Sequence, residues 1–181
     1  MLNKTFIPFP ILTTGRLTLR KLDTTDEQAI FTLRSDKKIN EFLDRKPADN
    51  RDDARNFINT VNENVDKNAS IYWAITFIGT NELVGTVCLF GFSDETGKCE
   101  IGYELLTQFQ RQGIMQEAVD KVIDYAFNTI GVIEIEACFH RDNDRSTKLL
   151  KKFSFSNSDT SDNSDPDILC YSLKSTARGR T

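Results

Sequence analysis

Histidine is almost missing from this chain: His140 is the only one among 181 residues. A Ser-His-Asp relay or a histidine-built metal centre is therefore poorly supported, because both chemistries draw on imidazole as base or ligand. Cysteines are few and scattered, at Cys88, Cys99, Cys138 and Cys170. Metal and redox motifs need closer spacing, so the four read as free buried thiols in a reducing cytosol. No apolar run approaches the length of a membrane span. The N-terminal stretch, broken by Pro8 and Pro10 and lacking a small-residue cleavage site, makes a poor signal peptide. Lysines and arginines are spread over a mildly acidic chain of net charge -4, with no stripe for nucleic acid and no polybasic patch for a membrane surface. The Gly-Lys-Ser/Thr of a nucleotide phosphate loop is absent too.

What is present suits one cytoplasmic domain over residues 1–181, with 174–181 as a frayed tail. A chain this long buries about seven-tenths of the surface its unfolded form exposes. The organising stretch is Leu105-Leu106-Thr107-Gln108-Phe109-Gln110-Arg111-Gln112-Gly113-Ile114-Met115-Gln116-Glu117-Ala118. An apolar strand ends at Leu105, a polar turn follows, and Met115, Ala118, Val119, Val122, Ile123, Ala126, Phe127 and Ile130 then fall at helical spacing. A strand that feeds a glycine-containing turn and a helix leaves the first helical N–H groups unpaired. With the helix dipole added, that turn is an anion site, and a diphosphate is its usual occupant.

In chain order, residues 1–15 read as an extended lead-in and 17–22 as a half-buried strand. Thr24 and Glu27 form a capping box for a short helix to about Leu33, and Ala54, Phe57, Ile58, Val61 and Val65 mark a second helix. The polar stretch between these helices carries Phe42 and Leu43 as isolated apolar anchors. Residues 71–78, 83–90 and 99–105 make an antiparallel meander whose first turn is Gly79-Thr80-Asn81-Glu82. After the long helix, residues 132–139 form a strand that the crossover places parallel to the one ending at Leu105. Asn143 is positioned to cap a helix carrying Ser146, Leu149, Leu150 and Phe153 on one face. Residues 154–167 are nearly all Ser, Asn, Asp and Thr and read as a mobile loop. Residues 168–173 form a closing strand.

Four stretches in this order resemble the GCN5-related N-acetyltransferase (GNAT) superfamily and, within it, the RimJ/RimL-like branch of ribosomal-protein N-terminal acetyltransferases. They are Thr14-Gly15-Arg16-Leu17-Thr18-Leu19-Arg20, Glu100-Ile101-Gly102-Tyr103, Gln110 to Met115 with Glu117-Ala118, and Asn143-x-x-Ser146 with Leu149-Leu150-x-Lys152-x-x-Phe155. The resemblance implies a mixed α/β fold (α+β): a mostly antiparallel twisted sheet of about six or seven strands with one splayed parallel pair and helices on both faces. It implies acetyl-coenzyme A as cofactor, with the amides of Arg111, Gln112, Gly113, Ile114 and Met115, together with Gln110, at its diphosphate. Its pantetheine arm would lie along Leu105 and Leu106 and against Asn143 and Ser146. Arg111 either adds charge toward the phosphates or stays solvated, and Asn143 either contacts pantetheine or only caps its helix.

The same resemblance gives the chemistry. Acetyl transfer to an amine requires removal of a proton from an ammonium and return of one to a thiolate. Glu100 matches a carboxylate proposed as general base, through a water, in that branch, and Gly102 beside it leaves room for the acceptor or the thioester. Glu104, on the same strand face, is the rival base. Much of the superfamily uses a tyrosine as acid seven residues after the asparagine. Here Leu150 stands there, and Ser146 takes the assignment, its alternative being a bond to the helix or to the cofactor sulfur. The expected partners are acetyl-coenzyme A and an amine, with no metal, nucleic acid or membrane, in a monomer or homodimer. Asp159, Asp162, Asp165 and Asp167 either attract a cationic acceptor or stay solvated. Three classes remain open: an N-acetyltransferase, a coenzyme A sensor that has lost chemistry, and a nucleotide binder, which the lone Gly113 disfavours.

Overall fold

Alternation of apolar and polar residues builds one eight-stranded sheet in the computed structural model, which describes residues 1–158 and 165–175. Its strands are β1 (Leu12–Thr13), β2 (Leu17–Lys21), β3 (Ile71–Phe77), β4 (Leu83–Ser93), β5 (Lys98–Leu105), β6 (Glu134–His140), β7 (Ser156–Asn157) and β8 (Ile168–Lys174). They lie in the order β1-β2-β3-β4-β5-β6-β8-β7. Every neighbouring pair is antiparallel except β5 and β6. Four helices accompany them: α1 (Glu27–Ser35), α2 (Arg51–Asp66), α3 (Ile114–Tyr125) and α4 (Asp144–Lys152). Among the described residues no helix is long and apolar enough to cross a membrane.

The period of two in β3 sorts the helices onto two faces. Ile71, Trp73 and Ile75 join Leu17, Leu19, Val87, Leu89 and Ile101 in the core beneath α3, whose Ala118, Val119, Val122 and Ile123 are fully buried. Trp73 meets Tyr125 edge-on at 5.6 Å. Leu150 of α4 belongs to this same core. On the opposite face Ala74 and Tyr72 pack with Ile30, Leu33, Ala54 and Ile58 of α1 and α2.

The parallel pair is short. Lys98, Cys99 and Glu100 sit opposite Glu134, Ile135 and Glu136, and no pairing follows. Strand β5 stays with β4 as far as Leu105, while β6 stays with β8 as far as His140, so the two part company and open a V. The β4–β5 register shifts between Phe90 and Ser93, alongside the three β5 residues that pair with β6. A bulge there adds local twist at the apex of the V.

Several boundaries differ from the sequence reading. The capping box sits one residue earlier: Asp23 Oδ1 accepts from the Thr25 N–H, and Asp26 Oδ2 accepts from the Asp23 N–H at 2.8 Å. Arg20 fixes Asp26 through two further bonds of 2.8 Å, a long-side-chain contact that local spacing does not reveal. The long helix leaves α geometry at Tyr125 and ends in a wider turn, Ala126–Ile130, because Gly131 takes φ 84° and donates to the Ala126 carbonyl. Ser156–Asn157, read as mobile loop, pairs with Tyr171 and Ser172 of β8. Lys174, read as tail, completes β8. Asp159 and Asp162 lie outside the described residues, as does the chain after Ser175.

The expectation of four free thiols is overturned. Cys138 and Cys170 stand directly opposite each other on β6 and β8 and form a disulfide, at a separation of 32 in the chain. Spacing alone hides such a pair, since the sheet brings it together. Cys88 and Cys99 remain free.

Candidate active site

The turn ahead of α3 has the geometry of an anion cradle. Arg111 and Gly113 both take left-handed backbone, φ 64° and 75°, and alternation of this kind turns successive N–H groups toward one point. Among the described residues, none of the N–H groups from Arg111 to Met115 finds an acceptor. Ile114 and Met115 bury their side chains in the core, so only their backbone faces a ligand. The Arg111 side chain is exposed and meets no described carboxylate. A diphosphate fits this set, which offers idle donors, a helix N-terminus and a nearby guanidinium.

A bracket on the far side holds the turn. Arg16 donates both terminal guanidinium nitrogens to the Gln112 carbonyl, at 3.2 and 3.3 Å. Its Nε donates to Glu117 Oε2 at 2.7 Å and its backbone N–H to Glu117 Oε1 at 3.0 Å, and Thr14 donates its hydroxyl to the same carboxylate. Burial pushes the Glu117 carboxyl up, but the bonds from Thr14 and Arg16 outweigh it and hold the group below the usual carboxylate range. With the Gln112 carbonyl drawn toward Arg16, the N–H groups of the turn are left for a ligand. Thr14 and Arg16 belong to a motif visible in sequence, yet their partner lies a hundred residues away.

The other residues expected to touch the cofactor line the V. The Leu106 N–H is committed to the Val84 carbonyl at 3.0 Å. The Leu105 carbonyl accepts from Gln110 Nε2 at 3.1 Å, and Gln110 Oε1 accepts from Arg145 at 2.8 Å. Gln110 therefore ties the end of β5 to α4. Asn143 caps α4 by accepting the Ser146 N–H at 3.2 Å, while its own amide N–H groups reach no described acceptor. Capping and a ligand contact are thus compatible in one side chain. Ser146 is buried at 9% exposure, and its hydroxyl borders Tyr103, whose phenol burial pushes up to about 12 against a lowering bond from Ser146. Leu150 is sealed in the core, so no phenol enters the V from α4. Tyr103 had no signal in sequence beyond its place in the Glu-Ile-Gly-Tyr motif.

On the face of α1 and α2, β5 presents Glu100, Gly102 and Glu104. Glu100 is half-buried and has no cationic partner among the described residues. Burial raises its carboxyl above the ordinary value and the charge of Glu136 adds to the rise. A side chain at Gly102 would press on Cys88 Sγ, 3.2 Å from its ideal Cβ. Glu104 is different: it forms an ion pair with Arg45. The segment between α1 and α2 roofs this face, because Arg45 reaches Glu104 on β5 while Phe42 stacks on His140 of β6 at 5.5 Å. His140 Nδ1 accepts the Asp142 N–H at 3.2 Å. Phe42 is one of the two apolar anchors read in that stretch, whereas Arg34 and Arg45 escaped the sequence reading because they lie in helical or polar context with no motif. Among the described residues no three side chains of His, Cys, Asp and Glu gather as a metal site.

Comparison with known proteins agrees with this architecture. RimL, described as a ribosomal L7/L12 alpha-N-protein acetyltransferase and solved in complex with coenzyme A, superposes with a TM-score of 0.77 at 18% identity, covering 91% of this chain and 98% of its own. The uncharacterized N-acetyltransferase YoaA of Bacillus subtilis (strain 168) is 32% identical over 147 residues, 81% of this chain and 83% of that protein. The uncharacterized N-acetyltransferase p20 of Bacillus licheniformis is 34% identical over 145 residues, 80% and 81% of the two chains. The family model for the acetyltransferase (GNAT) domain matches residues 16–156. The chain belongs to the GNAT acetyltransferase family, and acetyl-coenzyme A is its acyl donor.

Proposed function

We propose that the protein is an N-acetyltransferase that moves the acetyl group onto a primary amine held in the same ternary complex, by direct attack. Acetyl-coenzyme A supplies the activated acyl group as a thioester. The observation that carries the reading is Glu100, a half-buried carboxylate free of ion pairs among the described residues, beside Gly102 where β5 leaves β6. Its raised proton affinity suits a general base. Glu100 takes the ammonium proton through a water, and Ser146, across the V on α4, returns a proton to the departing thiolate. The amides of Arg111 to Met115, with Gln110, Leu105, Leu106 and Asn143, hold and aim the donor.

Direct attack is supported by the state of the thiols. Burial pushes both Cys88 and Cys99 up to about 12, and Cys138 and Cys170 are bonded to each other. Neither free thiol therefore offers a cysteine relay a thiolate at neutral pH. An α-amine suits the base better than a lysine side chain, because its pKa lies about two units lower, some 3 kcal/mol less proton affinity for a carboxylate to overcome. RimL, with the same fold, bears a name that describes an α-amine acceptor. A peptide N-terminus is accordingly the preferred acceptor class, with a small amine as the other. An acyl donor kept inside cells supports a cytoplasmic setting, where Cys138–Cys170 would face reducing thiols.

The test is thiol release from acetyl-coenzyme A. Release should depend on an added amine, and Glu100→Gln and Ser146→Ala should each lower kcat at least tenfold. Tight coenzyme A binding with no turnover across a broad panel of peptides and amines would instead describe a sensor and refute the reading.

A further inference from the structure

Beyond Gly102, the acceptor face of β5 runs into a group of charges that acetyl transfer leaves unused. Glu104 sits opposite Thr86 in the sheet and near Tyr72, whose hydroxyl is 3.1 Å from that of Thr86. Arg45 contacts Glu104 directly and also donates its Nε to Asn40 Oδ1 at 2.7 Å. One carboxylate is thereby matched by one guanidinium. A second guanidinium, Arg34, lies close enough for Arg45, Glu104 and Tyr72 all to act on its charge, and its Cζ stands 4.0 Å over the Phe57 ring.

Arg34 is the uncompensated member of this group. Among the described residues nothing accepts a hydrogen bond from its side chain, and its idle nitrogens are open to solvent rather than sealed. Two cations over one anion leave a single positive charge in a half-buried setting, where attraction for an anion is screened far less than in water. Burial and the neighbouring Arg45 both weaken its hold on a proton, so an arriving anion relieves a cost that the fold already bears. The guanidinium sits over an aromatic ring and carries a fork of donors, which matches a carboxylate through two parallel bonds.

We infer that Arg34, with the Arg45–Glu104 pair behind it, is an anion subsite beside the amine position and selects acceptors that carry a carboxylate. The inference rests on the N-acetyltransferase reading and narrows it. Polyamines and aminoglycosides are disfavoured, because an extra ammonium group reaching this subsite would meet the unpaired Arg34 guanidinium. A carboxylate can be the α-carboxylate of an amino acid or the side chain of an acidic residue in a peptide. The chemistry of recognition is the same.

The experiment uses the full chain, acetyl-coenzyme A and acceptor pairs that differ only by carboxylate against carboxamide. Alanine against alaninamide reads an α-carboxylate, and the dipeptide amides Ala-Asp against Ala-Asn and Asp-Ala against Asn-Ala read a side chain. In at least one pair, kcat/KM should favour the carboxylate at least tenfold. The preference should fall close to unity in Arg34→Met and be partly kept in Arg34→Lys. Comparing ratios between variants cancels differences in the acceptors' own amine basicity. Equal rates in every pair, or a preference that survives in Arg34→Met, overturns the subsite while leaving amine acetylation in place. A binding measurement separates the two readings further. In the presence of coenzyme A, calorimetry should show N-acetyl-Ala-Asp-amide binding more tightly than N-acetyl-Ala-Asn-amide, with the difference lost in Arg34→Met. The same comparison is made for N-acetylalanine against N-acetylalaninamide and for N-acetyl-Asp-Ala-amide against N-acetyl-Asn-Ala-amide, and equal affinities in all three pairs would overturn the subsite whatever the turnover shows.

Discussion

Replacing Glu117 by Gln tests whether the anion cradle is held from behind. In the native protein its carboxylate accepts from Thr14 and twice from Arg16, the closest Arg16 contact being 2.7 Å, with its side chain about one-quarter exposed at 23%. Hydrogen bonds to a charged group contribute about 1.5–3 kcal/mol net, and partial exposure together with the one acceptor that the amide retains argues for the lower part, about 2 kcal/mol. For a chain of this size that is a fall of roughly 4–8 °C in Tm. The sign with pH follows from the lowered carboxyl. The stabilisation is fully present above the unfolded value of about 4.3 and disappears as pH falls through the lower folded value, so native and variant stabilities should converge in acid. Function should change too, since Arg16 also holds the Gln112 carbonyl. With Arg16 loosened, the N–H groups of the turn lose their preset direction, and KM for acetyl-coenzyme A should rise about tenfold, close to 1.4 kcal/mol, with kcat falling less. Denaturation curves and steady-state kinetics measure both. A destabilised variant with unchanged KM would refute the bracing argument.

Glu136→Gln should move the acid limb of the kcat/KM profile to lower pH. After burial, the charge of Glu136 is what raises Glu100, and a base with a lower pKa is unprotonated further into acid; an unmoved limb would mean that another group is being titrated. The Cys138–Cys170 bridge closes a loop with a separation of 32 residues, which chain entropy values at roughly 3–4 kcal/mol. The double Cys→Ser variant should lose about that much against the oxidised protein and little against the protein unfolded in excess dithiol, with mass spectrometry confirming the thiol state.

Legibility in the sequence followed the range of the interactions. The meander, the long helix and its turn were readable because Trp73, Ile101 and Ala118 each sit in a local period of two or 3.6 that only one element satisfies. The parallel placement of β6 followed from the handed crossover. What escaped depends on contacts between segments distant in the chain. The Cys138–Cys170 bridge needs the β6–β8 register, and Glu117 acquires its role only when Arg16 arrives. Composition misled at Ser156–Asn157, where a polar segment is recruited as an edge strand because β8 offers it unpaired backbone. The two carboxylates of β5 were both visible as candidates, but only the fold distinguishes them: Glu104 is tied to Arg45 and Glu100 is not.

In the proposed mechanism one strand serves both substrates, and its pleat explains how the site is kept in place. Along β5, Cys99, Ile101, Tyr103 and Leu105 face the core beneath α3, while Glu100, Gly102 and Glu104 face the acceptor side. A slip of one residue against β4 would exchange the two sets completely. It would drive Glu100 and Glu104 into the apolar layer with Trp73 and Val119, where an unpaired carboxylate costs several kcal/mol, and it would turn Ile101 and Leu105 out of that layer at about 1.5–3 kcal/mol for each side chain lost from burial. The apolar pattern that builds the core therefore also fixes which β5 side chains face α1 and α2 and, under the proposed mechanism, which carboxylate meets the amine. In that mechanism the placement of the base is a by-product of core packing rather than a separate cost. Substitutions that preserve the alternation of β5 should spare the placement of Glu100, even where they remove a contact to the donor.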